Sequence, residues 1–210
     1  HQEETLVDWL VSRYPEIQHV GDDPKLRPGI VHRLDKDVSG VMVVARAQNM
    51  FIHLKKQFQE HTVRKEYRAL VYGVVQKEEG EINLPLKKGP HKTLVLPKGG
   101  DRDEAKALRA VTRFEVLQHF QHYTLLRALP ETGRTNQIRA HLSVYGHSIV
   151  GDTKYCHPRY KNRSAFTKFL KYDRVFLHSS RLAFHTITGE WKTYQAALPD
   201  DLSAFIGTLK

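Results

Sequence analysis

The segment Val31-His32-Arg33-Leu34-Asp35-Lys36-Asp37-Val38-Ser39-Gly40 sets an imidazole, a guanidinium, two carboxylates and a hydroxyl just ahead of a glycine. Such a set serves metal binding, phosphoryl transfer or nucleophilic attack, and the spacing separates them. Asp35, Asp37, Ser39 and Gly40 stand at the first, third, fifth and sixth positions of a calcium-binding loop, but the twelfth is Arg46, where a bidentate glutamate is required. No metal is expected. His32, Arg33, Leu34 and Asp35 share residue types with a kinase catalytic loop, but the order differs and neither a glycine-rich phosphate loop nor Asp-Phe-Gly accompanies them. Asp35 is left as a carboxylate at a chain reversal, serving either as a nucleophile or as the surface partner of an arginine.

A second segment, Leu129-Pro130-Glu131-Thr132-Gly133-Arg134-Thr135-Asn136-Gln137-Ile138-Arg139-Ala140-His141-Leu142, leaves a strand, turns at Gly133 and enters a helix. Arg134 and Thr135 lie near that helix's N-terminus, where free backbone N–H groups and the helix dipole attract an anion, either a phosphate or the Asp35 carboxylate. A third stretch, Lys154 to Arg174, mixes Lys154, Arg159, Lys161, Arg163, Lys168, Lys171 and Arg174 with Tyr155, Tyr160, Phe166, Phe169 and Tyr172. Cations interleaved with aromatics hold phosphates and stack bases, which makes Lys161 and Arg163 candidates for substrate contact. Phe166, Phe169 and Leu170 are also spaced as the inward face of a solvated helix, and the sequence leaves both readings open.

The elements that must position these groups follow from hydrophobic period. Val41 to Ala45 reads as a buried strand, and Gln48 to Glu60 as a helix with Phe51, Leu54 and Phe58 on one face. Glu66 to Val75 alternates, giving Tyr67 a defined facing along a strand. Ala110 to Leu117 and Tyr123 to Leu129 are two further strands, and Val175 to His185 pairs with Trp191 to Ala196 around Thr188-Gly189-Glu190. Asn136 to Tyr145 reads as a short helix closed by Gly146, and Asp200 to Leu209 as a final helix, while Lys87 to Arg109 and Lys154 to Arg174 read as loops. The pattern predicts one α+β domain over residues 1–210, a mainly antiparallel mixed sheet flanked by helices and loops around a central cleft.

Composition limits the partners. The 33 Lys and Arg against 23 Asp and Glu give a net charge of +10, which favours a polyanion. The single cysteine, Cys156, forms no internal disulfide and no cysteine-rich zinc site. No apolar run approaches a membrane span, and the N-terminus does not read as a signal peptide. A cytoplasmic protein is expected, or one of an organelle or nucleus in a eukaryote.

Gly29 to Val44 resembles the HRLDxxTSGLLLxAK signature of the RluA branch of pseudouridine synthases, with Val38-Ser39-Gly40-Val41 at its Thr-Ser-Gly-Leu stretch. Four more blocks agree in family order: Lys65 to Gly73, Gly133 to Leu142, Gly146 to Asp152, and Leu177 to Leu182. The resemblance implies isomerisation of uridine to pseudouridine in tRNA or rRNA without metal or cofactor. Asp35 stands at the catalytic aspartate, attacking C1′ or C6 or removing a ribose proton. Arg134 matches the basic residue that pairs with it, so Arg134→Lys is expected to be harmful. Tyr67 matches the tyrosine that stacks on the target base and assists in taking the C5 proton, and Ile138 the apolar residue on the ring's other side. Arg33 would fill the gap left by the flipped base, with His32 bracing the loop. Many members carry an N-terminal S4 RNA-binding domain; the stretch before Gly29 is too short for one, so the chain either relies on its own basic loops or is the catalytic part of a longer protein. A monomer is expected. The alternative is a catalytically silent RNA-binding protein that keeps the fold.

Overall fold

A computed structural model describes residues 4–97, 107–160 and 174–210. Its helices are α1 (Leu6–Arg13), α2 (Gln48–Gln59), α3 (Gln137–Val144) and α4 (Asp200–Gly207). Its strands are β1 (Ser39–Gly40), β2 (Arg64–Tyr72), β3 (Glu79–Asn83), β4 (Leu86–Lys88), β5 (Thr93–Val95), β6 (Val111–His119), β7 (Tyr123–Pro130), β8 (Leu177–His185) and β9 (Trp191–Gln195). The main sheet runs β1-β8-β2-β7-β6-β3, with β9 also on β8, and β4 pairs with β5 apart from it. β1 lies parallel to β8, whereas β2 on β7, β7 on β6 and β6 on β3 are antiparallel. This is the expected α+β class with a mixed, mainly antiparallel sheet.

The described chain divides into two compact units. One is drawn from His1–Leu34, Val41–Arg64 and Leu182–Tyr194, the other from Asp35–Gly40, Lys65–Arg181 and Gln195–Lys210. In the first, Phe51 and Leu54 of α2 pack with Val20, Ala45, Val63, Leu182 and Phe184, as the helical stripe predicts. Val41 to Ala45 is not the buried strand read from its apolar run. Only Val44 makes a β-bridge, to Ile30, and the Val43 amide instead donates to His32 Nε2 at 3.0 Å. A side chain has taken the place of a ladder partner. The His32 ring stacks on Phe58, with centroids 4.6 Å apart, so it braces this loop.

In the second unit the core joins Leu70, Leu126 and Ala128 of the sheet to Ile138 and Leu142 of α3 and Leu202 and Phe205 of α4. Each fully buried leucine contributes roughly 1.5–3 kcal/mol, which ties α3 firmly to β2 and β7. α3 ends as its glycine predicts: Gly146 is left-handed at φ +95, its amide bonds Ser143 O, and His147 N bonds Leu142 O. The chain then returns along β2, where Tyr72 N donates to Ser148 O and Val150 N to Leu70 O. That return sets Asp152 beside α3.

Four elements, α1, β3, β4 and β5, lay outside the sequence reading. α1 starts from a capping box between Thr5 and Asp8 and buries only Leu10. β3 buries only Ile82 and exists by its register on β6. β4 and β5 lie in or beside Lys87 to Arg109, read as a loop because the stretch has too few apolar residues to show a period.

Candidate active site

Asp35 opens a tight turn in which Val38 N donates to its carbonyl at 3.0 Å. The chain leaves that turn into β1, whose Ser39 and Gly40 register against His178 and Ser179 of β8. The approach is close: Gly40 has φ +125, and a Cβ there would lie 2.2 Å from Ser179 O. Ser39 Oγ is shared between His178 Nδ1 at 2.9 Å and Arg174 Nη2 at 2.6 Å. The turn is thus pinned on its C-terminal side, and the Asp35 side chain keeps 21% of its surface exposed.

Arg139, not Arg134, pairs with Asp35. Its Nη1 lies 3.3 Å from Asp35 Oδ2, while Nε and Nη2 hold Asp152 bidentately at 2.7 and 3.0 Å. Arg139 is only 6% exposed and Asp152 fully buried. Asp152 Oδ1 also accepts the backbone amides of Lys154 and Tyr155, so the carboxylate orienting Arg139 is itself fixed. Burial works against the Arg139 charge, but the hydrogen bonds and charges of Asp152 and Asp35 outweigh it and hold its pKa above the ordinary arginine value. Arg134 is turned elsewhere by local geometry. Gln137 Oε1 accepts from Thr132 Oγ1 at 2.6 Å and from Arg134 N at 3.1 Å, closing the turn, and Arg134 Nε then donates to Arg109 O at 3.2 Å.

Asn136, the residue capping α3, adopts a left-handed backbone at φ +53 and ψ +24. The amide orientation that satisfies Asp35 and Tyr155 directs its nitrogen to Asp35 Oδ1 and Oδ2 at 3.0 and 2.6 Å and its oxygen to the Tyr155 hydroxyl at 3.2 Å. Tyr155 Oη in turn accepts from Thr93 N at 2.9 Å. Two donor groups of different charge therefore converge on one carboxylate, and each is braced by a buried partner.

Tyr67 belongs to the same environment. Burial pushes its phenol up to about 12, opposed by a hydrogen bond with Ser179 and helped by the Asp35 charge. Ile138 is buried in the core at the start of α3. Of the other expected residues, Thr135 is exposed and its carbonyl accepts from Thr93 Oγ1. Arg33 is exposed in the first unit, and Lys161 and Arg163 lie outside the described residues. Among the described residues no group of three or more His, Cys, Asp or Glu side chains could hold a metal, and no helix is long and apolar enough to cross a membrane. The sequence reading missed Arg139, Asn136, Asp152 and Tyr155. One signal was available: an arginine between the inward positions Ile138 and Leu142 requires a buried carboxylate, and Asp152 follows in the next block.

A mixed sheet carrying one aspartate clamped by a guanidinium, with a tyrosine in its field, is equipped for nucleophilic work by a carboxylate. The chain belongs to the RNA pseudouridylate synthase family, whose model matches residues 7–144. It is 39% identical over 211 residues to an RNA pseudouridine synthase of Chloroflexus aurantiacus, covering 100% of this chain and 61% of that protein. It is 35% identical to the ribosomal large subunit pseudouridine synthase D of Vibrio parahaemolyticus, over 98% of this chain and 62% of that one. The chain thus spans less than two thirds of the length of these relatives. Among solved structures, human RNA pseudouridylate synthase domain containing 4 superposes with a TM-score of 0.80 at 25% identity, covering 100% of this chain and 86% of that one.

Proposed function

We propose that this chain isomerises uridine to pseudouridine in RNA, with Asp35 as the nucleophile. The observation that carries the reading is the clamp on Asp35: an arginine locked bidentately by buried Asp152 and an asparagine amide, both aimed at the same part-exposed carboxylate. Preorganised donors hold a carboxylate in one reactive orientation, so no reorganisation is needed when it attacks. The reaction breaks the N1–C1′ bond, turns the uracil while Asp35 holds the adduct, and joins C5 to C1′; N1 gains a proton and C5 loses one. Tyr67 stacks on the base with Ile138 on its other side. Its phenol, pushed up by burial to about 12, is protonated at neutral pH before the base binds.

The target base is flipped out, and Arg33 fills the space it leaves. Arg134 and Thr135, at the turn before α3, with Lys161 and Arg163, contact the RNA backbone. The protein acts as a monomer without metal or cofactor. Relatives named for the large ribosomal subunit favour ribosomal RNA over tRNA as the substrate. The test is to incubate the protein with large-subunit rRNA and tRNA transcripts in chelator and map pseudouridine chemically. Wild type is expected to modify rRNA and Asp35→Asn to modify nothing while still binding. Binding by both proteins with no pseudouridine from either would sink the catalytic reading.

A further inference from the structure

The sheet face behind Tyr67 carries a second cluster of charge. Along β2, Glu66 and Arg68 alternate with Tyr67 and so leave the strand on the side away from it. They line a cavity of about 320 Å3 with Leu125, Ser180, Arg181 and the segment of residues 195–198. Arg68 lies directly opposite Arg127 in the β2–β7 register, an arrangement that cross-strand pairing disfavours.

The two carboxylates nearby do not resolve that repulsion. Arg181 Nη1 takes Glu66 Oε1 at 2.5 Å, and Arg127 Nη1 takes Glu115 Oε2 at 2.6 Å. Arg68 makes no hydrogen bond or ion pair of its own among the described residues, and Glu66 Oε2 lies 3.9 Å from Arg127 Nε. Burial and the Arg127 charge push the Arg68 pKa down and outweigh the attraction of Glu66. Three guanidiniums thus share two carboxylates, with open space beside Arg68 and Arg181.

We propose that this cavity is a phosphate-binding site, with Arg68 and Arg181 as its ligands. Guanidinium forks match the paired oxygens of a phosphate, and an anion beside Arg68 would offset the Arg68–Arg127 repulsion. The opposite wall, Leu125 and residues 196–198, is apolar and would take the organic part of a phosphate ester. That ester is either a diester of an RNA backbone or a free small molecule. The proposal goes beyond the pseudouridine reading; its RNA-backbone arm rests on that reading and its free-anion arm does not.

The experiment compares wild type, Arg68→Gln and Arg181→Gln, with exposed Lys77→Gln as a charge-matched control. Thermal midpoints are measured in sodium phosphate and in sodium chloride of equal ionic strength. A free-anion site predicts a saturable rise with phosphate in wild type and Lys77→Gln that is lost in Arg68→Gln and reduced in Arg181→Gln. An RNA-backbone site predicts no such rise, but a salt slope of transcript binding smaller by about 1 in Arg68→Gln. Without phosphate, Arg68→Gln is expected to melt no lower than wild type, since it loses a repulsion. The proposal is overturned if phosphate protects Arg68→Gln as well as wild type, if neither midpoint nor slope responds, or if Arg68→Gln melts well below wild type in phosphate-free buffer.

Discussion

Arg134 and Arg139 lie five residues apart in one segment, and only one of them touches Asp35. Arg139→Lys keeps a positive charge but cannot hold Asp152 bidentately while reaching Asp35, so the carboxylate loses its fixed orientation. A displacement of that kind is expected to lower kcat by about 100-fold, whereas Arg134→Lys, which loses a bond to the Arg109 carbonyl, should change kcat several-fold at most; single-turnover assays on one transcript separate the two. A second residue gives a pH test. Burial lowers the Lys65 pKa from 10.5 to about 8, and among the described residues its one hydrogen-bond acceptor is Thr132 O at 3.3 Å. The unfolded chain binds this proton more tightly than the folded one, so the native state carries the full penalty below pH 8, and stability recovers as pH rises towards 10.5. Lys65→Met is therefore expected to be more stable than wild type at pH 7, by an amount on the order of 2–3 kcal/mol, with the gap closing by pH 10. Urea unfolding at both pH values measures it, and a gap independent of pH would contradict the assignment.

At the scale of elements, what positions Asp35 is a two-residue strand. Gly40→Ala would drive a methyl group into the Ser179 backbone, where no side-chain rotamer can relieve the overlap. A loss on the order of 3–5 kcal/mol is expected, with activity falling in parallel because the turn that carries Asp35 is anchored there; denaturant titration of the variant checks the first part. The glycine's place ahead of Val41-Met42-Val43-Val44-Ala45 suggested that the strand came after it, and this is where the sequence misled. A run of apolar residues records burial but not which partner takes the amides, and here His32 took one. α2, β2, β6, β7, α3, α4 and the β8–β9 pair were legible because each repeats a clear period. α1, β3, β4 and β5 were not, because their pairing or capping does more to define them than their few buried residues. The site divides in the same way. Asp35, Tyr67 and Ile138 carry their positions in local pattern, but the choice of Arg139 over Arg134 depends on the side from which each leaves a turn closed by Gln137.

Over the whole molecule, the excess of ten positive charges is set against a site with little net charge of its own, since Asp35 and Asp152 oppose Arg139 within it. On the proposed function, affinity for RNA comes from cations placed away from the reacting base, and each one that neutralises a phosphate steepens the fall of binding with salt. Lys161 and Arg163 are the sequence's candidates for this, so removing both charges, as Lys161→Gln with Arg163→Gln, is expected to reduce the slope of log K against log salt by about 1.5–2. The same double variant should leave single-turnover rates at saturating protein within about twofold, because steering an RNA to the site and holding the Asp35 carboxylate in place are separate tasks. Filter binding of one transcript across salt concentrations measures the first quantity and rapid-quench sampling the second. An unchanged slope would return Lys161 and Arg163 to the solvated surface and move the search for the RNA path to Arg33, Arg134 and Lys154, cations that stand in or beside the sequence blocks shared with the family.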